Sequence, residues 1–598
     1  MYGIAGTISF LNEIKNRDRY IEQLSNSFNS KYDKICNYKN IIMAQSTHDN
    51  KETFRMKIND NNYYVLLYGN LYNRQEIVDL LSYNNINLEH NNQCEIILKS
   101  FILWKEECLN KFNGAYSFVI WNENEEILFF ARDRLGVKPF YYSYINDTFV
   151  FGSKLELILD NDLIKPCIDE ISIAEIIYLG PGKSPGNAIY KNIKELKPAS
   201  FGYLTKNGIK IQKYWFLKDC ECTDSIDEIK YNINSLLKNS IESQISNNSC
   251  SFLSGGLDSS IISSILNNKF KQKGISLNTF SVTYENNDMF FTKNKFQPNS
   301  DTKFINEMVN YLGCSHKLIT IKNDELAKSL YDAVDAKDLP GMADVDSSLL
   351  LFCKEVKKDY DIAFSGECAD EIFGGYPWYR DKDIRMTKGF PWSQNTDYRK
   401  SFVKEDILLP NCENYVTAKY NNTIINTSKL HNVSPLEGRM KEMMRLNLEW
   451  FMQTLLDRSE KMSNYSNLEI RVPFCDYKIV EYLYSIPWEI KDYKGYEKGI
   501  LRESMKDILP STILWRKKSP YPKTHNPEYL KIVSDILKDI ISDVNSPIFN
   551  FIKKDSLEKL LKENKSIPWY GQLMTTPQTI AYFIQVNYWL KKYKIIID

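Results

Sequence analysis

Apolar positions follow two different patterns along this chain, and the change between them marks its organisation. Up to about residue 212 they come in short runs broken by Asn, Gly and Asp. Examples are Tyr63-Tyr64-Val65-Leu66-Leu67-Tyr68, Ala115-Tyr116-Ser117-Phe118-Val119-Ile120-Trp121 and Ile127-Leu128-Phe129-Phe130-Ala131. Such runs predict strands separated by turns, with occasional helices, one of them around residues 77–81. A layered α+β or α/β domain follows, because a sheet must bury its apolar faces against another layer. At 219–227 the chain turns polar (DCECTDSID), which reads as a linker. Beyond it Ile229, Ile233, Leu236, Leu237 and Ile241 recur at helical spacing, and a short apolar run leads into Ser254. Helical spacing then dominates to the end, interrupted by strand-like runs at 278–282 and 361–364. Strands alternating with helices predict a parallel sheet. The Asn-rich stretch 286–299 reads as a loop, and there is no internal repeat.

Length and charge narrow the classes. A chain of 598 residues is too long for one ordinary core, so at least two domains are expected. Lys plus Arg and Asp plus Glu both number 76, which gives no electrostatic case for nucleic acid or an anionic membrane. Twelve cysteines are scattered without a framework, so reduced thiols are expected; Cys220 and Cys222 lack a second pair at zinc-ligand spacing. No window approaches about 18 consecutive apolar residues and no basic-then-apolar leader pattern is present, so the expectation is a cytoplasmic protein.

Two stretches carry chemistry. In "SFLSGGLDSS" (251–260) an apolar strand runs into Ser254-Gly255-Gly256, and Asp258-Ser259-Ser260 opens a helix. Adjacent glycines let backbone N–H groups turn toward an anion, and the helix N-terminus adds its positive end. An ordinary Ser/Asp cap after a glycine turn is the plainer reading of this stretch alone. In "FSGECADEIFGGYPWY" (364–379) another strand ends in a glycine turn and places Glu367, Asp370 and Glu371 within five residues. Carboxylates at a strand's carboxyl end sit where open α/β sheets bind ligands, and such a cluster repels itself unless a cation or a proton relieves it. An exposed acidic loop is the alternative, but it leaves the flanking strand and the paired glycines unexplained.

Together these stretches resemble the synthetase domain of asparagine synthetases. "FQPNSD" (296–301), "DLPGMADVDSSLLLFC" (338–353), "LEIRVPFCDYKIVEY" (468–482) and "KKSPYPKTHNP" (517–527) extend the resemblance over nearly the whole chain. It implies a first domain over 1–212 of the Ntn-hydrolase-like αββα sandwich type, a linker at 213–227, and an α/β ATP-pyrophosphatase domain over 228–598. It further implies that Ser254, Gly255, Gly256, Asp258 and Ser259 bind the β,γ-phosphates of ATP. Leu253, Ser281 and Val282 contact adenine and ribose, and Ser365 and Gly366 complete the nucleotide site. Asp258 and Asp370 hold Mg²⁺, Glu367 is the base for the attacking amine, and Lys498 in "GYEKGILRE" faces the reacting carboxylate and α-phosphate. Homodimers are common in the family.

The first domain departs from that pattern. The family's catalytic Cys after the initiator Met is here Tyr2, whose phenol, with a pKa of about 10, cannot replace a thiolate. The glutamine-binding Asn-Gly-Glu triplet stands as Tyr68-Gly69-Asn70, and the Asp that pairs with the substrate's amino group stands as Gln93. The carboxylate clamp has become "AQSTHDN", with Gln45 to His48. Loss of glutaminase activity is expected, with Arg132, Asp133 and Arg134 kept for structure and the domain kept as a scaffold. The resemblance therefore implies an ATP-dependent amide ligase using ammonia or another amine on aspartate or a related acid. The alternatives are a biosynthetic amide synthetase or peptide cyclase, like the β-lactam synthetases and lasso-peptide cyclases, and a non-catalytic regulatory homologue. Glu367 stands where β-lactam synthetases carry Tyr, which weakens that version. Glu460-Lys461-Met462-Ser463-Asn464-Tyr465 replaces the usual Asp-Arg-Met-Ser-Met-Ala. If that helix segment lines the substrate pocket, it points away from aspartate.

Overall fold

A computed structural model describes residues 2–28, 34–38, 40–46, 54–291, 300–407, 412–563, 567–571 and 574–598. The chain divides into two compact units, one of residues 1–169, 185–216 and 596–598, the other of 170–184 and 217–595.

The first unit contains two six-stranded antiparallel sheets. Its strands are β1 (Gly3–Ser9), β2 (Lys34–Tyr38), β3 (Ile41–Ser46), β4 (Arg55–Ile58), β5 (Asn61–Leu71), β6 (Gly114–Asn122), β7 (Ile127–Arg132), β8 (Tyr141–Ile145), β9 (Thr148–Gly152), β10 (Lys194–Glu195), β11 (Ser200–Thr205) and β12 (Gly208–Lys213). One sheet runs β10-β8-β9-β1-β3-β2 and the other β12-β11-β7-β6-β5-β4. The period of two explains why β5 reads as a continuous apolar run. Tyr64, Leu66 and Tyr68 meet Ile4, Met43 and Phe151 of the opposite sheet, whereas Val65 and Leu67 pack on the other face with Ile77, Leu81, Ile96 and Ile97. Those last four come from helices α2 (Arg74–Tyr83) and α3 (Gln93–Trp104). Helix α1 (Arg17–Phe28) covers the other sheet through Tyr20, Leu24 and Phe28, which pack on Ala5, Ile42 and Ala44. The result is the expected αββα sandwich.

Arg132 and Asp133 are buried fold-holding groups. The Asp133 carboxylate accepts backbone N–H bonds from Leu135, Val137, Lys138 and Tyr116. The Arg132 guanidinium donates to Glu195 Oε1 at 2.8 Å and to the carbonyls of Gly136, Lys138 and Leu196. Arg134 donates to the carbonyls of Asn110 and Phe112.

The second unit is built on a five-stranded parallel sheet, β13 (Ser249–Phe252), β14 (Asn278–Tyr284), β15 (Ser315–Ile321), β16 (Ile362–Phe364) and β17 (Glu469–Arg471), in the order β15-β14-β13-β16-β17. The order reverses direction at β13, so the turns leaving β13 and β16 flank a crevice at the carboxyl edge, where open α/β sheets bind ligands. The polar segment 219–227 is anchored rather than a loose linker. Asp219 pairs with Lys441 at 2.8 Å, both buried, and Asp224 accepts from Tyr482 and Asn232 before helix α4 (Ile226–Ser243) begins at a Ser225–Glu228 capping box. Of the predicted loop 286–299, residues 287–290 form one short helical turn and 292–299 lie outside the described residues. Residues 170–184 belong to this unit: Arg399 donates to Tyr178 O at 2.8 Å, and Tyr582 to Ile176 O at 2.8 Å.

Candidate active site

The turn after β13 enters helix α5 (Leu257–Gln272) with Gly256 at its N-cap. Gly255 has φ +65°, and a Cβ there would stand 2.7 Å from the backbone of Phe304 and Ile305, so glycine is required on both counts. Ser259 Oγ accepts the Ser254 N–H at 3.2 Å and lies 3.0 Å from Ser254 Oγ. Hydroxyls are thereby gathered at a helix N-terminus, a favourable place for phosphate. The turn after β16 comes close to this one. A Cβ on Gly366 would lie 3.0 Å from Asp258 Cβ and 3.1 Å from the Ser259 nitrogen.

The acidic cluster is relieved by cations. Lys498 Nζ is 2.6 Å from Asp258 Oδ2 and 2.5 Å from Asp370 Oδ1, and Lys518 takes the other Asp370 oxygen. The two aspartates thus face one nitrogen, and their oxygens are no farther apart than the sum of those distances. Lys498 is buried with a left-handed backbone, φ +54°. A Cβ on Gly375 would come within 2.0 Å of Asp370 Oδ1 and 2.3 Å of Lys498 Cε, so the paired glycines of the sequence clear space for this contact. Burial opposes the charge on Lys498, but the two aspartates raise it above the ordinary lysine range. Burial likewise pushes Asp370 up, and Lys498 and Lys518 more than reverse this, holding it well below ordinary carboxylates. Asp258 is raised by burial, with Lys498 in opposition. Glu371, which accepts from Tyr376 at 2.7 Å, is pushed up to about 7 by burial and then by the Asp370 charge.

Glu367 has a different partner. Its Oε1 accepts from Arg458 Nη2 at 2.5 Å, while its Oε2 is buried without a hydrogen-bond partner. Arg458 comes from helix α6 (Met452–Tyr465) and lies over the Tyr521 ring at 4.9 Å. Burial works against its charge, and Glu367 raises it above the ordinary range.

These groups line a cleft of about 270 Å³. Every second-domain residue assigned from the sequence to nucleotide, metal or catalysis borders it except Gly255, which packs against residues 304–305. Sequence reading missed Arg458, Arg516 and Lys518, and the aromatic wall of Tyr376, Trp378, Phe451 and Tyr570. Lys518 stood in the quoted "KKSP" segment, but only the fold brings it to Asp370. The expectation about 460–465 needs correction: α6 presents Leu455, Arg458 and Ser459 to the cleft, not Glu460, Lys461 or Tyr465. The Tyr465 ring instead lies under the Lys354 ammonium at 5.8 Å.

Asp258 and Asp370 suit a divalent cation shared with phosphates. Asp258 Oδ1 is buried without a hydrogen-bond partner, and Mg²⁺ is usually held by one or two carboxylates together with phosphate oxygens. Among the described residues no group of three or more His, Cys, Asp or Glu side chains is placed to hold a metal alone.

In the first unit, the residues named from the sequence come together at the carboxyl end of β5. Gln93 Oε1 accepts the Leu71 N–H at 2.8 Å, and its Nε2 donates to Asn70 Oδ1 at 3.2 Å. Gly69 has φ +109°, and a Cβ there would meet Ala115 O at 2.0 Å. Tyr68 and Tyr2 belong to one apolar cluster, with Lys138 Nζ over the Tyr68 ring at 4.8 Å. Gln45 Oε1 accepts the Leu67 N–H at 3.2 Å; Thr47 and His48 lie outside the described residues.

Comparison with known proteins settles the lineage. The asparagine synthase family model matches residues 232–591, and the glutamine amidotransferase domain model matches 1–215. The chain belongs to the asparagine synthase family. It is 43% identical over 543 residues to asparagine synthetase [glutamine-hydrolyzing] 3 of Bacillus subtilis, covering 90% of this chain and 88% of that one. It is 26% identical to asparagine synthetase [glutamine-hydrolyzing] 1 of the same organism, covering 84% and 82%. As a member of the asparagine synthase family it is a ligase for ATP-dependent amidation. No helix among its described residues is long and apolar enough to cross a membrane.

Proposed function

We propose that this protein activates a carboxylic acid as an acyl-adenylate, releasing pyrophosphate, and then joins the acyl group to an amine, releasing AMP. The observation that carries this reading is the convergence of Asp258 and Asp370, from separate turns, on Lys498 Nζ. The hydroxyls of Ser254 and Ser259 and the N–H groups at the start of α5 receive the β,γ-phosphates, with adenine and ribose toward Leu253, Ser281 and Val282. Asp258 and Asp370 would hold Mg²⁺, which when bound neutralises charge on the departing pyrophosphate. The buried ammonium of Lys498 stabilises negative charge developing where the acid's oxygen meets the α-phosphorus. Glu367 accepts the proton that the amine loses as its nitrogen bonds the acyl carbon. The buried walls limit hydrolysis of the adenylate by water.

The nitrogen comes from ammonia or another amine. Tyr2 offers no thiol, and Asn70 and Gln93 are neutral amides bonded to one another, so neither supplies a carboxylate for the ammonium of glutamine. The acid is aspartate or a related one. A second reading, a substrate with an apolar body, is favoured by one observation: Tyr376 stacks on Trp378 at 4.4 Å and Phe451 on Tyr570 at 5.6 Å, which gives the cleft a continuous aromatic wall. Acid-stimulated ATP–pyrophosphate exchange, followed by amide formation from ammonia, glutamine and other amines, tests these readings. Exchange with aspartate supports the first, and exchange only with bulky acids or coupling only to bulky amines supports the second. No exchange with any acid leaves a regulatory homologue.

A further inference from the structure

We infer that Arg458 is a positioning residue for the amide-forming step: it fixes one oxygen of Glu367 and leaves the other, unpartnered, as the proton acceptor. The inference rests on the proposed acyl-adenylate reading and assigns a role to a group that reading does not use. Three observations carry it. Arg458 Nη2 holds Glu367 Oε1 at 2.5 Å, and both side chains are largely buried, at 4% and 15% exposure. Glu367 Oε2 is buried with no hydrogen-bond partner, although the residue borders the cleft. A buried carboxylate oxygen without a donor is costly, so its persistence points to a donor that arrives with the substrate. An amine N–H is such a donor.

The third observation is that Arg458 is itself held. Its guanidinium lies over the Tyr521 ring at 4.9 Å, and the Tyr521 hydroxyl lies 3.3 Å from Ser348 Oγ, which is 2.7 Å from the Tyr284 hydroxyl. The Tyr284 hydroxyl in turn donates to Pro522 O at 2.7 Å. Behind Arg458 on the same helix, Asp457 pairs with buried Lys337 at 3.0 Å. A planar cation stacked on a ring cannot swing with the freedom of a lysine, so the orientation of Glu367 is fixed before substrate binds. As the amine nitrogen bonds the acyl carbon, its proton passes to Oε2, and the acyl–phosphate bond breaks to release AMP.

The test separates the two half-reactions in Arg458→Met and Arg458→Lys variants of the full chain. Adenylation does not pass a proton through Glu367, so the ratio of amide formation to pyrophosphate exchange is the readout. In Arg458→Met that ratio is expected to fall by about 10²-fold, the cost typical of a misplaced general base. Arg458→Lys, which keeps the charge without the fork, recovers part of it. Persisting exchange shows that the variant is folded. Equal losses in both half-reactions, or no loss in either, overturn the inference. Absence of exchange in the unaltered protein overturns the acyl-adenylate reading instead. Should Arg458→Met unfold, Tyr521→Leu removes the shelf beneath the guanidinium, and an unchanged ratio in that variant overturns the inference as well.

Discussion

The two candidate sites of this chain differ in the charge their polar groups carry. In the first unit Gln93 and Asn70 bond each other and the Leu71 backbone, so the side chains that would receive a substrate are spent on one another. In the second unit Asp258 Oδ1 and Glu367 Oε2 stay buried without a hydrogen-bond partner, while Lys498 and Arg458 hold the opposite oxygens. Buried charge and unmet hydrogen-bonding capacity cost stability, and they persist where a ligand completes them. The difference teaches that the groups holding a fold and the groups poised for chemistry are separate sets of residues. Arg132 and Asp133, which hold the first fold together, keep their buried partners in the same unit as the neutral pair Asn70 and Gln93.

The sharpest way to break this contrast is at Lys498. If the second site works and the first does not, Lys498→Met lowers acid-dependent pyrophosphate exchange by roughly 10³-fold, because a preorganised cation at the developing charge is lost. Exchange within about twofold of the unaltered protein would show that the buried ammonium only neutralises aspartates.

Next in size is a change in the first unit's scaffold. Asp133→Ala leaves four buried N–H groups without their acceptor, and is expected to cost about 3–5 kcal/mol. Limited proteolysis within 1–169 reads this out. Unchanged protection would mean that the bonded scaffold is not what keeps this unit folded.

A smaller effect comes from Asp344, a buried carboxyl pushed up to about 6 by burial, with Gln578 donating to it at 3.1 Å. Its folded value lies above the unfolded one, so the folded state holds more protons between about pH 4 and 6. Stability therefore falls as pH rises through that window and levels off above it. The expected loss is about 2–3 kcal/mol, and Asp344→Asn abolishes it. Melting temperatures of the two proteins at pH 4.5 and 7.5 check the sign; a wild-type melt that rises relative to the variant contradicts it.

How much of this was legible in the sequence varied with the kind of fact. Strands β5, β6 and β7 were visible because both their faces are buried, and the nucleotide turns were visible because Gly255 and Gly256 follow one strand as an adjacent pair and Gly366 follows another. The need for a cation or a proton beside Glu367, Asp370 and Glu371 followed from repulsion alone. Which cation could not be read, since Lys498 is 128 and Arg458 is 91 positions from the carboxylates they meet and only the parallel sheet brings them there. The segment 460–465 misled for the same reason, because helix phase decides that Arg458 and Ser459 face the cleft while Tyr465 does not. Residues 170–184 gave no local sign that they join the second unit.

The smallest expected effect is the most exacting probe of the comparison. Tyr2→Cys restores the thiol and a small second residue, so the Met can be removed and the α-amine freed. If the nucleophile alone had been lost, glutamate release from glutamine should return. The bonded pair Asn70–Gln93 says otherwise: with no carboxylate at either position, neither residue pairs with the substrate's ammonium, and glutamine is expected not to be held over the thiolate. Release above a no-enzyme blank is therefore expected to be zero in Tyr2→Cys. It becomes measurable only when Asn70→Glu and Gln93→Asp are added and the site again carries charge. Release by the single variant would show that the first site lost one atom of chemistry and kept its binding. The contrast between a relaxed site and a poised one would then shrink to residue 2.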